Sequence, residues 1–308
     1  MTMSSSDLWT FSNEPNYRLV SVTGDDAESF LQGQLTQDVH HFKEDEAKWT
    51  ASCNHQGRVA SSSLIFRIPN GFGLMMPVSI AETEVQRLSK FILRSKVTIA
   101  IESVPITFFA TKEKDSEKIT VCPAIPAEPM KAYRGKSVTV VRLPSKAADG
   151  FSAKFVAFGK LPDMMESDKT EENMLPKALM EEGVALIDKA ESLEWLPQFL
   201  NLDLIGAISF NKGCYTGQEV VAKTQHLGRV KRRMLLGQAN IENVDEGTEV
   251  FMINEPMGRV IQCVGNTFLF VIRADYLDSD FTVKGESVKV IDFPYTVCLL
   301  YTSPSPRD

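Results

Sequence analysis

Apolar and polar positions along this chain change period repeatedly, from the two-residue repeat of a strand to the broader repeat of a helix. Residues 17–22 alternate and stop at Gly24, after which Asp25 or Asp26 can cap a helix that carries Phe30 and Leu31. Residues 47–53, 59–68 and 72–76 read as three more strands. Asn54-His55-Gln56-Gly57 and Pro69-Asn70-Gly71 supply the turns between them. From 80 to 93, the residues Ile80, Val85, Leu88, Ile92 and Leu93 share one broad helix side, and 97–101 returns to strand. The order β-α-β-β-β-α-β with tight turns predicts an α+β unit built on antiparallel hairpins.

Beyond it the pattern weakens. Residues 112–118 are charged and 122–129 are rich in proline, which reads as a loop or a join between sub-domains. Strands are predicted at 137–143 and 151–158, and a helix at 171–182 with Pro176 near its first turn or bending it. The apolar stretch 195–204 reads as a short helix or a packed loop. From 234 onward, short strands at 234–237, 248–251, 258–264, 267–273 and 287–290 predict a small barrel or sandwich. The expected division is an N-terminal lobe at 1–120, a second α+β lobe at 121–233 and a C-terminal barrel at 234–297. Residues 298–308 have no strand or helix signal and read as a non-native tail.

Composition narrows the class of protein. The chain has 308 residues, 43% of them hydrophobic and 24% charged, as expected of a soluble globular protein of two or three domains. A net charge of −7 counts against a general nucleic-acid coat, so RNA contact would need a local basic patch. The five cysteines, at 53, 122, 214, 263 and 298, are odd in number and scattered. That is no disulfide framework and points to a reducing interior, with a bacterial-type cytoplasm the expected location and no membrane partner. Residues 1–11 lack an apolar signal core.

The densest chemistry lies in Lys212-Gly213-Cys214-Tyr215-Thr216-Gly217-Gln218-Glu219. Thr216 and Glu219 have the T-x-x-E spacing of a capping box, which places Cys214 just before a helix start. The helix dipole and Lys212 would both favour a thiolate there. A lone cysteine is also a common core filler, and spacing alone favours that structural reading. No Cys-x-x-Cys accompanies it, which disfavours a zinc or dithiol site. His226 would lie about 15 Å further along the helix axis, which disfavours a Cys–His dyad. Residues 229–233 hold four cations in five positions. As a strand, Arg229, Lys231 and Arg233 would share one face, read either as solvated or as an anion site for a polyglutamate tail, phosphate or RNA. Gln32, Gln34, Gln37 and Asp38 form a polar cluster after the first helix, read as a capped helix end or as a ligand site for a group such as a pterin.

The stretch 212–219 resembles the K-G-C-Y-x-G-Q-E signature of the YgfZ family, folate-binding relatives of the glycine-cleavage T-protein, an aminomethyltransferase. The segments from Thr23-Gly24 to Gln32-Gly33-Gln34, Cys53 to Arg58, and Leu196-Pro197-Gln198 to Ser209-Phe210 resemble other family motifs. The resemblance runs from about residue 17 to about residue 295. It implies a three-lobed cloverleaf around a central tetrahydrofolate channel, with a small C-terminal β-barrel. It also implies an accessory role in assembly or repair of iron–sulfur enzymes, including one for tRNA methylthiolation, rather than turnover. By the same resemblance Cys214 is the functional thiol, and Tyr17, Leu175, Gln34, Lys212, Tyr215, Gln218 and Glu219 are folate contacts. Tyr17 and Leu175 stand where the family carries tryptophans, so a stacking ring is kept at the first position and lost at the second. Asp38 lies where the T-protein carries its catalytic carboxylate, which makes a folate-dependent aminomethyl or one-carbon transferase the alternative. A third possibility, direct tRNA binding by residues 229–233, has the acidic overall charge against it.

Overall fold

Blocks rich in valine, isoleucine and phenylalanine, broken by glycine and asparagine turns, pair with their neighbours in antiparallel fashion throughout the described residues. The structure is a computed structural model that describes residues 9–112, 125–145, 150–161, 174–226 and 230–297. Outside these fall most of the charged run at 112–118, Cys122, the start of the helix expected from 171, Arg229 and the tail from Cys298.

The first sheet has the strand order Ala47–Cys53, Val59–Ile68, Gly71–Pro77, Tyr17–Thr23 and Thr98–Glu102. Helices Ala27–Gln32 and Val78–Ser89 cover one face through Phe30, Leu31, Ile80 and Leu88. The second helix stops four residues short of the predicted end. Its last turn tightens at Lys90, and Leu93 takes a left-handed φ of 48°, which turns the chain back so that Thr98–Glu102 can join the sheet. Asp26 starts the first helix without a side-chain cap; its carboxylate instead accepts the Lys96 N–H at 2.7 Å.

The second sheet has the order Trp9–Asn13, Ile106–Thr111, Ala153–Gly159, Val138–Leu143 and Ala132–Arg134. Three of these strands, at 9–13, 106–111 and 132–134, are not among those the sequence predicts. The sheets meet across one shared core, where the Phe66 and Phe158 ring centroids lie 4.5 Å apart. Helix Met174–Glu181 packs into the same core and contains Pro176.

The remaining strands form a closed six-stranded barrel, because Glu286–Ile291 pairs back onto Arg232–Ala239. Its interior holds Val250, Phe268, Phe270 and Phe281. Met234, Leu236, Leu269 and Val271 face outward and extend the shared core. The stretch 195–204 forms a short 3-10 turn, Pro197–Leu200, followed by Asn201 at φ 56°. The Asn201 amide then donates to the Met234 carbonyl at 2.9 Å and fixes the first barrel strand.

Candidate functional site

The segments that carry the family resemblance, two near the N-terminus and two from 196 onward, meet at the loop 212–217. Lys212 is the first tie. Its ammonium donates to the carbonyls of Gln32, Leu35 and Gln37, each at 2.7 Å, and so grips the turn after the first helix. The Thr216 N–H adds a bond to the Gly33 carbonyl at 3.2 Å. Gly217 is the second tie. It has a φ of 86°, and a side chain there would collide with the Asn54 carbonyl of the 54–57 turn, so a left-handed residue without a Cβ is required. A third tie joins the Gln198 amide to the Val221 carbonyl at 2.8 Å.

Within this knot the side chains alternate in role. Tyr215 is buried under Lys212, whose Nζ lies 5.1 Å from the ring centroid, and Cys214 is exposed. The expected capping box is absent. The helix begins at Gln218, one residue past Gly217, so Thr216 lies too early to cap it and makes no side-chain bond to the helix start among the described residues. Nor does Lys212 reach toward the sulfur with a spare hydrogen, since the three carbonyls take all three. His226 ends the helix with its ring edge-on to Phe210.

Burial drives the Lys212 ammonium down to about 8, against the pull of Asp38, which favours the charged form. Asp38 accepts from Gln32 Nε2 at 3.1 Å and from the His40 N–H at 3.2 Å, and its other oxygen lies 2.7 Å from His41 Nδ1. Partial burial raises the Asp38 carboxyl, but His41 and Gln32 outweigh it and hold it below the usual carboxylate range. A carboxylate so held is a weak base.

The basic run divides where the sequence predicted a shared face. Lys231 and Arg232 are exposed, whereas Arg233 is fully buried. Its guanidinium makes a two-pronged bond to Asp203 at 2.7 and 3.0 Å and donates to the Gln198 carbonyl at 2.8 Å. Arg233 is therefore a clamp between the barrel and the 197–203 turn. A solvated face or anion site excludes it.

Beside the knot, at the junction of both sheets and the barrel end, lies a cavity of about 630 Å³. Trp49, Met130, Ile205 and Tyr295 give it apolar walls; Gln37, Lys48, Lys131 and Glu182 add polar groups. Tyr295 donates to the Gly183 carbonyl at 2.8 Å, and its ring occupies the space a side chain at Gly183 would need. The Glu182 carboxylate is buried and ion-paired with buried Lys154 at 2.9 Å. Gln37 links the cavity to the knot. Its amide donates to the Gly206 carbonyl at 2.8 Å on the cavity side, and its own carbonyl holds Lys212.

Of the residues expected from the sequence, Lys212, Tyr215, Gln34, Gln218, Asp38 and Cys214 lie in or against the knot. Gln218 Nε2 reaches the Gly213 carbonyl at 3.4 Å, and Glu219 is exposed in the first helical turn. Gln34 is buried, and its Oε1 has no hydrogen-bond partner among the described residues. Tyr17 and Leu175 lie elsewhere. Leu175 is in the shared core, its N–H donated to Glu14, and Tyr17 borders a separate cavity of about 350 Å³ with Pro176 and Cys263. None of these residues lines the larger cavity. Of its own lining only Gln37 and the stretch 204–206 of the Leu196–Phe210 segment fall in stretches the sequence singled out; the packed sheets supply the rest.

No protein-family profile matches the chain. It is 30% identical over 241 residues to the tRNA-modifying protein YgfZ of Escherichia fergusonii, a match spanning 76% of this chain and 73% of the relative. The corresponding protein of Shigella dysenteriae serotype 1 matches at the same identity and coverage. Among solved structures, the glycine cleavage system aminomethyltransferase T of Bartonella henselae superposes with a TM-score of 0.67 at 13% identity, over 93% of this chain and 86% of that one. At that identity the likeness is one of fold.

Proposed function

Because the chain belongs to the YgfZ family, we propose that it serves tRNA modification as a folate-binding accessory protein that maintains iron–sulfur enzymes, with Cys214 as its functional thiol. The observation that carries this reading is the knot itself. A loop held by contacts to three other segments presents one exposed sulfur, and one of the residues that grip it, Gln37, also lines a ligand-sized cavity.

The cavity residues fit a folate. Its volume lies within the roughly 300–1,000 Å³ of small-molecule sites. Trp49 and Tyr295 offer flat apolar surfaces to a pterin and a benzoyl ring. Glu182 and Gln37 would accept from and donate to the pterin amide edge, and Lys48 and Lys131 would pair with the glutamate carboxylates. When bound, a reduced folate supplies a one-carbon carrier. Transfer chemistry at Asp38 gains no support, because that carboxylate is a weak base and lies off the cavity lining.

Two measurements test the reading separately. Calorimetric titration with tetrahydrofolate should show one site, lost when Ile205→Trp fills the cavity; a wild-type protein that takes up no folate sinks the ligand assignment. Cys214→Ala should keep both fold and folate affinity yet fail to restore tRNA methylthiolation in cells lacking the protein. Full rescue by that variant would make the sulfur dispensable.

A further inference from the structure

Arg58, Lys231, Arg232 and Arg259 gather on one groove of about 660 Å³, in a chain whose net charge is −7. The groove adjoins the thiol loop, because Arg58 follows Gly57, and a Cβ on Gly57 would sit 2.9 Å from Val220 of the signature helix. Its four cations are not equivalent. Arg259 is spent on the fold, 4.9 Å above the Trp195 ring and bonded to Glu191 at 2.9 Å, and Arg58 is bonded to the Glu194 carbonyl. Lys231 and Arg232 are exposed and make no ion pair among the described residues. They are the two cations left for an outside partner.

Half-buried Phe199, with Pro256 and Met257 of the hairpin formed by strands Glu249–Met252 and Glu255–Val264, adds an apolar part to a lining that is otherwise polar. That hairpin ends in Ile253, which is 88% exposed and has a φ of 47°. A β-branched residue in the left-handed region is strained, and asparagine or glycine would relieve it; water gains nothing from an isoleucine there. Ile253 and Asn254 form the turn of that hairpin, so Ile253 sits at its tip, beyond the paired Phe251 and Pro256 at the edge of the groove. Strain and exposure together are explained by a partner surface that covers this tip.

We propose that this groove docks an acidic segment of a partner protein, with Lys231 and Arg232 pairing its carboxylates and Ile253 seated against an apolar side chain. Nucleic acid fits less well. Glu194 and Glu249 also line the groove, and a phosphate backbone with closely spaced charges would meet both. A peptide can set its own donors against them. The proposal extends the accessory reading by naming the face through which a partner is brought to Cys214. Its test reads binding alone, so it can fail while folate binding and the thiol requirement stand.

The probe is a fluorescein-labelled peptide of alternating glutamate and leucine, added to the full chain and followed by anisotropy at about 50 mM and about 300 mM salt. Binding should saturate and weaken with salt. Lys231→Glu with Arg232→Glu should weaken it by about tenfold or more at unchanged melting temperature. Ile253→Asn should weaken it about threefold while leaving the protein at least as stable. Lys90→Glu, an exposed site on the first sheet's helix side, should change nothing. Equal affinity in the double variant, an equal loss from Lys90→Glu, or displacement of the peptide by unmodified tRNA acting through Lys231 and Arg232 would each overturn the proposal.

Discussion

The signature loop and the barrel junction each draw a cation out of the solvent, Lys212 half-buried and Arg233 fully buried, and they hold it by opposite means. At the junction, Arg233 meets a full carboxylate, Asp203, fork to fork. In the loop, Lys212 meets three neutral carbonyls, with the nearest carboxylate, Asp38, acting only through space. A guanidinium forked onto a carboxylate gains two parallel charge-assisted bonds, which fix its geometry as a clamp. An ammonium among neutral acceptors keeps its charge only while its hydrogen bonds offset burial, and burial has moved it to about 8. One region is built to stay shut; the other depends on a proton.

The contrast can be broken first at the junction. Asp203→Ala leaves a buried guanidinium without its counter-charge and should lower unfolding free energy by about 3–5 kcal/mol in a denaturant titration. Arg233→Met combined with Asp203→Leu should recover most of that loss; failure of the pair to recover would mean the clamp does more than neutralise itself. Lys212→Met should cost less, about 1–3 kcal/mol, since it strands carbonyls that can in part reach water. It should also speed proteolytic cleavage in the 32–38 turn.

The smallest effect is the most diagnostic. With Lys212 at about 8 in the folded chain and its ordinary value near 10.5 when unfolded, the unfolded state holds more protons between those limits. Stability from this group must therefore rise with pH across that window, whereas below about 8 the full cost of burying the charge remains. The stability advantage of the wild type over Lys212→Met should widen between pH 7.5 and 9.5. A constant gap would show that the three carbonyls fully offset burial, and the two regions would then differ less than their partners suggest.

Much of the first sheet was legible because its apolar blocks are set off by turns that carry glycine and asparagine. Ala47–Cys53 and Val59–Ile68 fall at the predicted bounds. The strand at 106–111 was not legible. Its six residues, Ile106 to Thr111, follow Pro105 without a glycine or asparagine turn to set them off, and its partner at 9–13 lies almost a hundred residues earlier. The signature loop announced itself, but its logic did not. Gly217 looked like punctuation and proves to be a contact with the 54–57 turn, and Arg233 looked like one more surface cation. Local pattern reports what a residue is next to in the chain. The cavity depends on Trp49, Glu182 and Tyr295, ordinary residues that become a site only when three layers meet.

Gln37 gives the molecule a property that neither of its neighbouring regions has alone. Its side-chain amide belongs to the cavity wall and its backbone carbonyl to the lysine clamp, so the two places share a single residue. Influence through such a residue runs equally in both directions. A molecule that binds the cavity more tightly when the thiol loop is ordered must order that loop by the same factor. The rate at which an alkylating reagent finds Cys214 should then differ between the empty and the loaded protein, and equal rates would show that the two places are independent.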